Sequence, residues 1–110
     1  MGKIARQPVT LVYGATDTVK TFKVQQNGYL RDFSLDIANF ATAATLVVTI
    51  NDKNGKLWYT SAAINKNQEI VTHPTNAVPV DYDDVVTITL NAAAGVGGGN
   101  IEAVLAIEVK

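Results

Sequence analysis

Four groups of residues in this chain have types and spacings that do chemistry in other proteins. They are the acidic turn Asp81-Tyr82-Asp83-Asp84, the glycine run Gly95-Val96-Gly97-Gly98-Gly99, the lone histidine His73 before Pro74, and the adjacent aromatics Trp58 and Tyr59. Clustered carboxylates offer hard oxygen ligands to calcium. An EF-hand loop, however, needs Asp or Asn at alternate positions, then Gly, then Glu at a fixed distance, and that order is missing here. The sequence leaves two readings of Asp81, Asp83 and Asp84: a solvated turn that discourages edge pairing, or part of an irregular cation site.

A glycine run cradles phosphate when a strand precedes it and a helix or a Lys-Ser/Thr pair follows. Here Asn100 and another strand-like run follow, so the segment reads as a flexible loop, ordered by a neighbour if at all. His73 has no Cys, serine-triad or His-Glu pattern around it and reads as a solvated or capping residue. Ser34 and Ser61 are the two serines, and neither stands in a Gly-x-Ser-x-Gly elbow. Without cysteine there is no thiolate nucleophile, disulfide or cysteine metal site. The expectation is a protein that is not an enzyme, with no catalytic, cofactor-binding or metal residues and no cofactor.

Trp58 and Tyr59 are neighbours on one strand, so they face opposite sides of a sheet and one of them points outward. An outward ring on a β-sandwich can stack on a sugar, the reading of a carbohydrate-binding module. It can equally fill a core or a subunit contact.

The elements that must carry these residues are strands. Apolar and polar residues alternate over 9–13, 18–24, 29–37, 45–51, 56–63, 85–91 and 101–109, with a loop and a short strand within 64–72. In 29–37 the odd positions Tyr29, Phe33, Leu35 and Ile37 form the inward set. Asn27-Gly28, Asp52-Lys53-Asn54-Gly55, His73-Pro74 and Pro79 mark turns, and 38–44 reads as a connection too short for an independent helix. About eight short strands at roughly ten-residue spacing predict an all-β fold, an antiparallel two-sheet β-sandwich with jelly-roll-like form. Residues 1–110 make one such domain, with a short N-terminal arm over 1–8.

Charged residues make up 17% of the chain, below the roughly 25% of ordinary soluble domains, and a thinly charged surface invites protein contact. A net charge of −1 argues against a task of gripping nucleic acid through its phosphates. Residues 1–66 hold eight Lys or Arg against four acids, and residues 67–110 hold one Lys against six acids. If the halves presented separate faces, copies could meet head to tail; interleaved strands would erase the dipole. The opening Met-Gly-Lys-Ile lacks the apolar core of a signal peptide, Arg6 stands where myristoylation wants Ser or Thr, and no run reaches a membrane span. Synthesis in a cytoplasm and no membrane partner are expected.

Segment order adds a further likeness. Arg6-Gln-Pro-Val-Thr-Leu-Val-Tyr-Gly-Ala-Thr-Asp-Thr18, Gln26-Asn-Gly-Tyr-Leu-Arg-Asp-Phe33, Asn51-Asp-Lys-Asn-Gly-Lys-Leu-Trp-Tyr-Thr-Ser61, Val78-Pro-Val-Asp-Tyr82 and the late glycine-rich connection resemble small virion structural proteins of tailed bacteriophages. The texture, rich in Thr, Ala and Asn, is similar to head decoration or cement proteins and to small neck and tail components. The resemblance implies a virion protein of the host-made particle that binds major capsid protein or other virion proteins. It also implies a homo-oligomer, a trimer among the options, that stabilises the shell by non-covalent assembly.

Overall fold

Alternating apolar residues, many of them β-branched, hold most of this chain extended. The structure is a computed structural model that describes residues 3–76 and 78–110; Met1, Gly2 and Ala77 lie outside the described residues. It contains ten strands: β1 (Ile4–Tyr13), β2 (Val19–Lys23), β3 (Gly28–Ile37), β4 (Thr45–Asn51), β5 (Leu57–Thr60), β6 (Ile64–Asn65), β7 (Gln68–Thr72), β8 (Val78–Val80), β9 (Val85–Leu90) and β10 (Gly99–Val109).

The first sheet runs β1-β10-β3, and β7 and β8 then share the far edge of β3, against 33–37 and 28–30 respectively. The second sheet runs β2-β9-β4, with β5 and β6 sharing the far edge of β4. Counting each shared edge as one broken strand leaves eight positions, all paired antiparallel. The first then pairs with the eighth, the second with the seventh, the third with the sixth and the fourth with the fifth. That is one long hairpin rolled up on itself, the jelly-roll order. The rhythm of eight runs is therefore correct as positions, and ten segments arise because two edge strands are interrupted.

The interruptions have local causes. Between β5 and β6, Ser61 takes over the pairing with β4: its hydroxyl accepts from Val48 N at 2.9 Å and donates to Ala62 O at 2.8 Å. Between β7 and β8 stands His73-Pro74. Pro79, read from sequence as a turn, lies inside β8. Because β8 is an edge, its missing N–H breaks no ladder, and Pro8 is tolerated in β1 for the same reason.

Two further differences follow from pairing. β1 begins at Ile4, not at residue 9, because Ile4 through Pro8 pair with Glu108 through Val104 of β10. Residues 4–8 of the expected arm are thus strand, while Met1 and Gly2 lie outside the described residues. In β3 the register slips between Ala106 and Ile107, leaving Arg31 as an extra residue between Leu30 and Asp32. This β-bulge reverses the side-chain parity, so Leu30 is fully buried and Tyr29 is exposed.

The core lies between the sheets and is built from Leu30, Phe33, Leu35 and Ile37 of β3, Ile101, Leu105 and Ile107 of β10, and Leu46, Val48, Ile50, Val86, Ile88 and Leu90 opposite. Two polar residues tie the sheets together inside it. The Tyr13 hydroxyl donates to Ile88 O of β9 at 2.8 Å, and its ring meets Phe40 edge-on. Gln7, buried on β1, donates from Nε2 to Lys23 O and accepts at Oε1 from Gln25 N. Among the described residues no buried side-chain nitrogen or oxygen lacks a partner.

Candidate assembly surface

Each sheet turns one face to solvent, and the two faces differ in chemistry. On the second sheet the outward residues of β9 are Val85, Thr87 and Thr89, and those of β4 are Thr45, Val47, Thr49 and Asn51, alternating with buried Val86, Ile88, Leu90, Leu46, Val48 and Ile50. None of the seven outward side chains is ionisable. Register places Thr21 opposite Thr87, Thr87 opposite Thr49 and Thr49 opposite Thr60, so four threonines stand in one row across four strands. Beside it run Val19, Thr89 and Val47.

This face is inexpensive to cover. Threonine is stiff at χ1, so little rotamer freedom is lost on contact. Its hydroxyl both donates and accepts, and desolvating it costs far less than desolvating a charge. Charged residues stand at its corners, where Lys23 pairs with Val85 and Lys56 lies over the outward Trp58 ring.

The first sheet's outer face is acidic. Thr10, Glu102, Asp36 and Glu69 stand in one row across β1, β10, β3 and β7. Like charges placed directly opposite one another repel. With Ser34, Val71 and Val104 these acids line a shallow depression of about 380 Å³. Across the described residues, no three or more His, Cys, Asp or Glu side chains converge in a way that could hold a metal ion.

The sequence-flagged residues take structural positions. Asp84 is buried and its Oδ2 accepts from Asp81 N at 2.8 Å; Asp83 adopts φ 75° and donates its N–H to Val24 O; Asp81 faces Lys110 Nζ at 4.0 Å. The Asp84 carboxylate closes this tight turn, Asp83 contributes through its main chain, and the Asp81 carboxylate faces a neighbouring lysine. His73 is largely exposed, with Nδ1 3.6 Å from Asp32 Oδ2, beyond hydrogen-bond range. Ser61 staples backbone, and Ser34 lies in the open depression.

The glycine loop is tied down where the sequence suggested freedom. Ala94 N donates to Asp17 O, Gly95 N to Ala15 O and Gly98 N to Gly95 O, while the Thr42 hydroxyl donates to Ala93 O at 2.6 Å. Gly98 has φ 58°, and a Cβ there would fall 2.0 Å from Tyr13 O. The loop thus holds Val96 out in solvent at 91% exposure.

The aromatic pair divides as strand geometry requires. A slip between Ile50 and Asn51 leaves Trp58 as the extra, outward residue at 45% exposure. Tyr59 points in against Phe33, ring centroids 6.0 Å apart, and burial raises its hydroxyl pKa above the ordinary value. Both rings line a notch of about 310 Å³ with Pro74, Thr75, Asn76, Val78 and Pro79, and Lys56 Nζ sits 4.8 Å from the centre of the Trp58 ring.

The charge imbalance between the chain's halves does not become a dipole between faces. Strands from the two halves alternate across the first sheet, and Arg31 of β3 bonds Glu108 of β10, Nε to Oε1, at 2.6 Å. The threonine and acidic rows were not legible in sequence, because their members lie far apart along the chain. The signal was present only as outward Thr or acid at one level of each strand.

No family model and no curated protein matches this sequence. Solved structures do resemble the fold. A chain of the cyanophage Pam1 capsid asymmetric unit aligns with 99% of this chain and 86% of its own length, at TM-score 0.64 and 16% identity. The SPBc2 prophage-derived protein YomS aligns with 93% of this chain and 95% of its own, at TM-score 0.53 and 12% identity. At these identities the likeness is one of fold: the chain is an all-β, two-sheet sandwich of jelly-roll order.

Proposed function

We propose that this protein is a structural component of a phage virion, a head decoration protein that lies on assembled capsid protein and stabilises the shell without catalysis. The observation that carries the reading is the uncharged outer face of the second sheet, with Thr21, Thr87, Thr49 and Thr60 in one row. A flat, low-charge β-face suits a broad protein contact of standard size. The full-length fold likeness to a chain of a cyanophage capsid unit supports the same class of role. Major capsid protein is the partner this reading names, and a neck or tail position is the alternative within it.

The test is a virion lacking this chain. The reading expects earlier loss of integrity on heating or chelation than in wild type, restored by adding back the purified protein. Equal stability, together with no binding of the protein to assembled heads, contradicts it.

The carbohydrate-binding alternative has one observation in its favour, the half-exposed Trp58 at the rim of a notch beside Thr75 and Asn76. Lys56 already occupies a position over that ring. A glycan array carrying the purified chain separates the readings: signal lost in Trp58→Ala supports sugar binding, and a blank array removes it.

A further inference from the structure

The Asn-Gly pair occurs twice in this chain: Asn27-Gly28 at the start of β3, and Asn54-Gly55 between β4 and β5. This pair carries latent chemistry. The glycine main-chain nitrogen, once deprotonated, can attack the asparagine Cγ; the C–N bond to the side-chain amide breaks, ammonia leaves and a cyclic imide closes. Water then adds to either ring carbonyl and opens the imide to aspartate or isoaspartate. One water enters, one ammonia departs, and nothing is oxidised or reduced. Glycine suits the step because no Cβ crowds the approach. The backbone must still turn to bring the nitrogen onto Cγ, and a folded structure can forbid that.

The two sites differ in what holds them. Gly28 is buried and lies between Val109 of β10 and Val80 of β8. A Cβ there would fall 2.0 Å from Glu108 O, so its main chain has no space to turn. Asn27 is engaged as well: its Oδ1 accepts from Tyr82 N at 2.7 Å and its carbonyl from Lys110 N at 3.3 Å. Bringing Gly28 N onto Asn27 Cγ therefore means parting β3 from the ends of β8 and β10.

Asn54 and Gly55 are both exposed at the tip of the β4–β5 hairpin. Gly55 has φ 92° and open space where a Cβ would stand. The bonds that hold the tip are local: Asn54 N and Lys56 N donate to Asp52 Oδ1, Gly55 N to Asp52 O, and Asn51 Nδ2 to Gly55 O. Freeing Gly55 N breaks one of them and leaves both sheets and the core in place. Openings of this kind cost far less than unfolding.

We infer that Asn54 is a site of spontaneous deamidation left open by the fold, and that Asn27 is the same reactive pair shielded by it. The product adds one negative charge to a turn that already holds Asp52, Lys53 and Lys56. Where isoaspartate forms, the main chain gains a carbon inside the turn, and the bonds of Asp52 with Gly55 and Lys56 no longer fit. The hairpin then loosens next to Trp58. The inference concerns the chain alone and holds whatever the threonine face binds.

The test ages the purified protein at mildly alkaline pH, folded and in urea, and follows both sites by peptide mapping with mass spectrometry. In the folded protein Asn54 should convert at least ~10-fold faster than Asn27. In urea both turns are lost and the two rates should converge. Asn54→Gln, whose imide would need a larger and slower-closing ring, should fold as wild type by circular dichroism and lose the early acidic form seen on ion exchange. Folded Asn54 converting no faster than Asn27, a difference that persists undiminished in urea, or an early acidic form that survives in Asn54→Gln overturns the proposal.

Discussion

The Tyr13 hydroxyl of β1 and the Ile88 carbonyl of β9 are joined by a 2.8 Å hydrogen bond that crosses the core from one sheet to the other. Both residues are almost fully buried, so the carbonyl has no water to turn to if the hydroxyl is removed. Tyr13→Phe should lower stability by about 1–3 kcal/mol in urea unfolding while preserving the fold. An unchanged midpoint would show that the sheets do not depend on this link.

Alkali should act on the same residue. Burial, with the nearby Asp17 carboxylate second, pushes the Tyr13 pKa well above its ordinary value, so the folded state holds the proton more tightly than the unfolded chain. Its contribution is complete below the unfolded value of ~10 and is lost as pH rises beyond it. Stability should fall above that pH, less steeply in Tyr13→Phe; the remaining slope includes Tyr59, whose pKa is also raised.

Gln7 acts at the neighbouring corner by satisfying two main-chain groups at the end of β2. Gln7→Leu keeps the bulk and removes both bonds, which should cost about 2 kcal/mol or more. Hydrogen exchange reads this locally: the Gln25 amide should exchange faster in the variant. Equal protection in the two proteins would place the closure of this corner elsewhere.

How much of this was written in the sequence depends on the element. β4 and β9 were legible because Leu46, Val48, Ile50 and Val86, Ile88, Leu90 alternate without interruption and sit at sheet centres. β3 misled at one residue: the bulge at Arg31 is set by pairing with β10, so local alternation placed Tyr29 inside, whereas Leu30 is the residue that is buried. β1 was read short because Ile4–Pro8 lacks a clear pattern of its own and is strand only through β10. The threonine face was the least legible part, since Thr21, Thr49, Thr60 and Thr87 become a row only when four strands fix their register.

On the other face, Glu102, Asp36 and Glu69 oppose one another across three strands. Asp36→Asn removes the middle charge of the row. It should stabilise the protein by about 0.2–1 kcal/mol at low ionic strength, with the gain fading as salt is raised. Destabilisation would mean that the Asp36 carboxylate has a favourable partner.

Gly98 is the position where the Val96 loop is most vulnerable. A side chain there meets both a left-handed backbone and the Tyr13 carbonyl, so Gly98→Ala should destabilise by about 1–3 kcal/mol or more and loosen the loop. Gly97→Ala, whose added Cβ would meet open space, serves as the comparison and should cost less. Equal effects in denaturant would mean that the close approach at Gly98 is relieved without strain.

The central claim is that the threonine face of the second sheet binds capsid protein. It is tested most directly by co-sedimenting the purified chain with assembled heads of its phage, comparing wild type with the double variant Thr49→Lys, Thr87→Lys. Two ammonium groups in the middle of that face would have to be desolvated on contact. Wild type should pellet with heads, and the variant, folded by circular dichroism, should bind at least ~10-fold more weakly. Wild type left in the supernatant, or a variant that pellets equally well, would contradict the account.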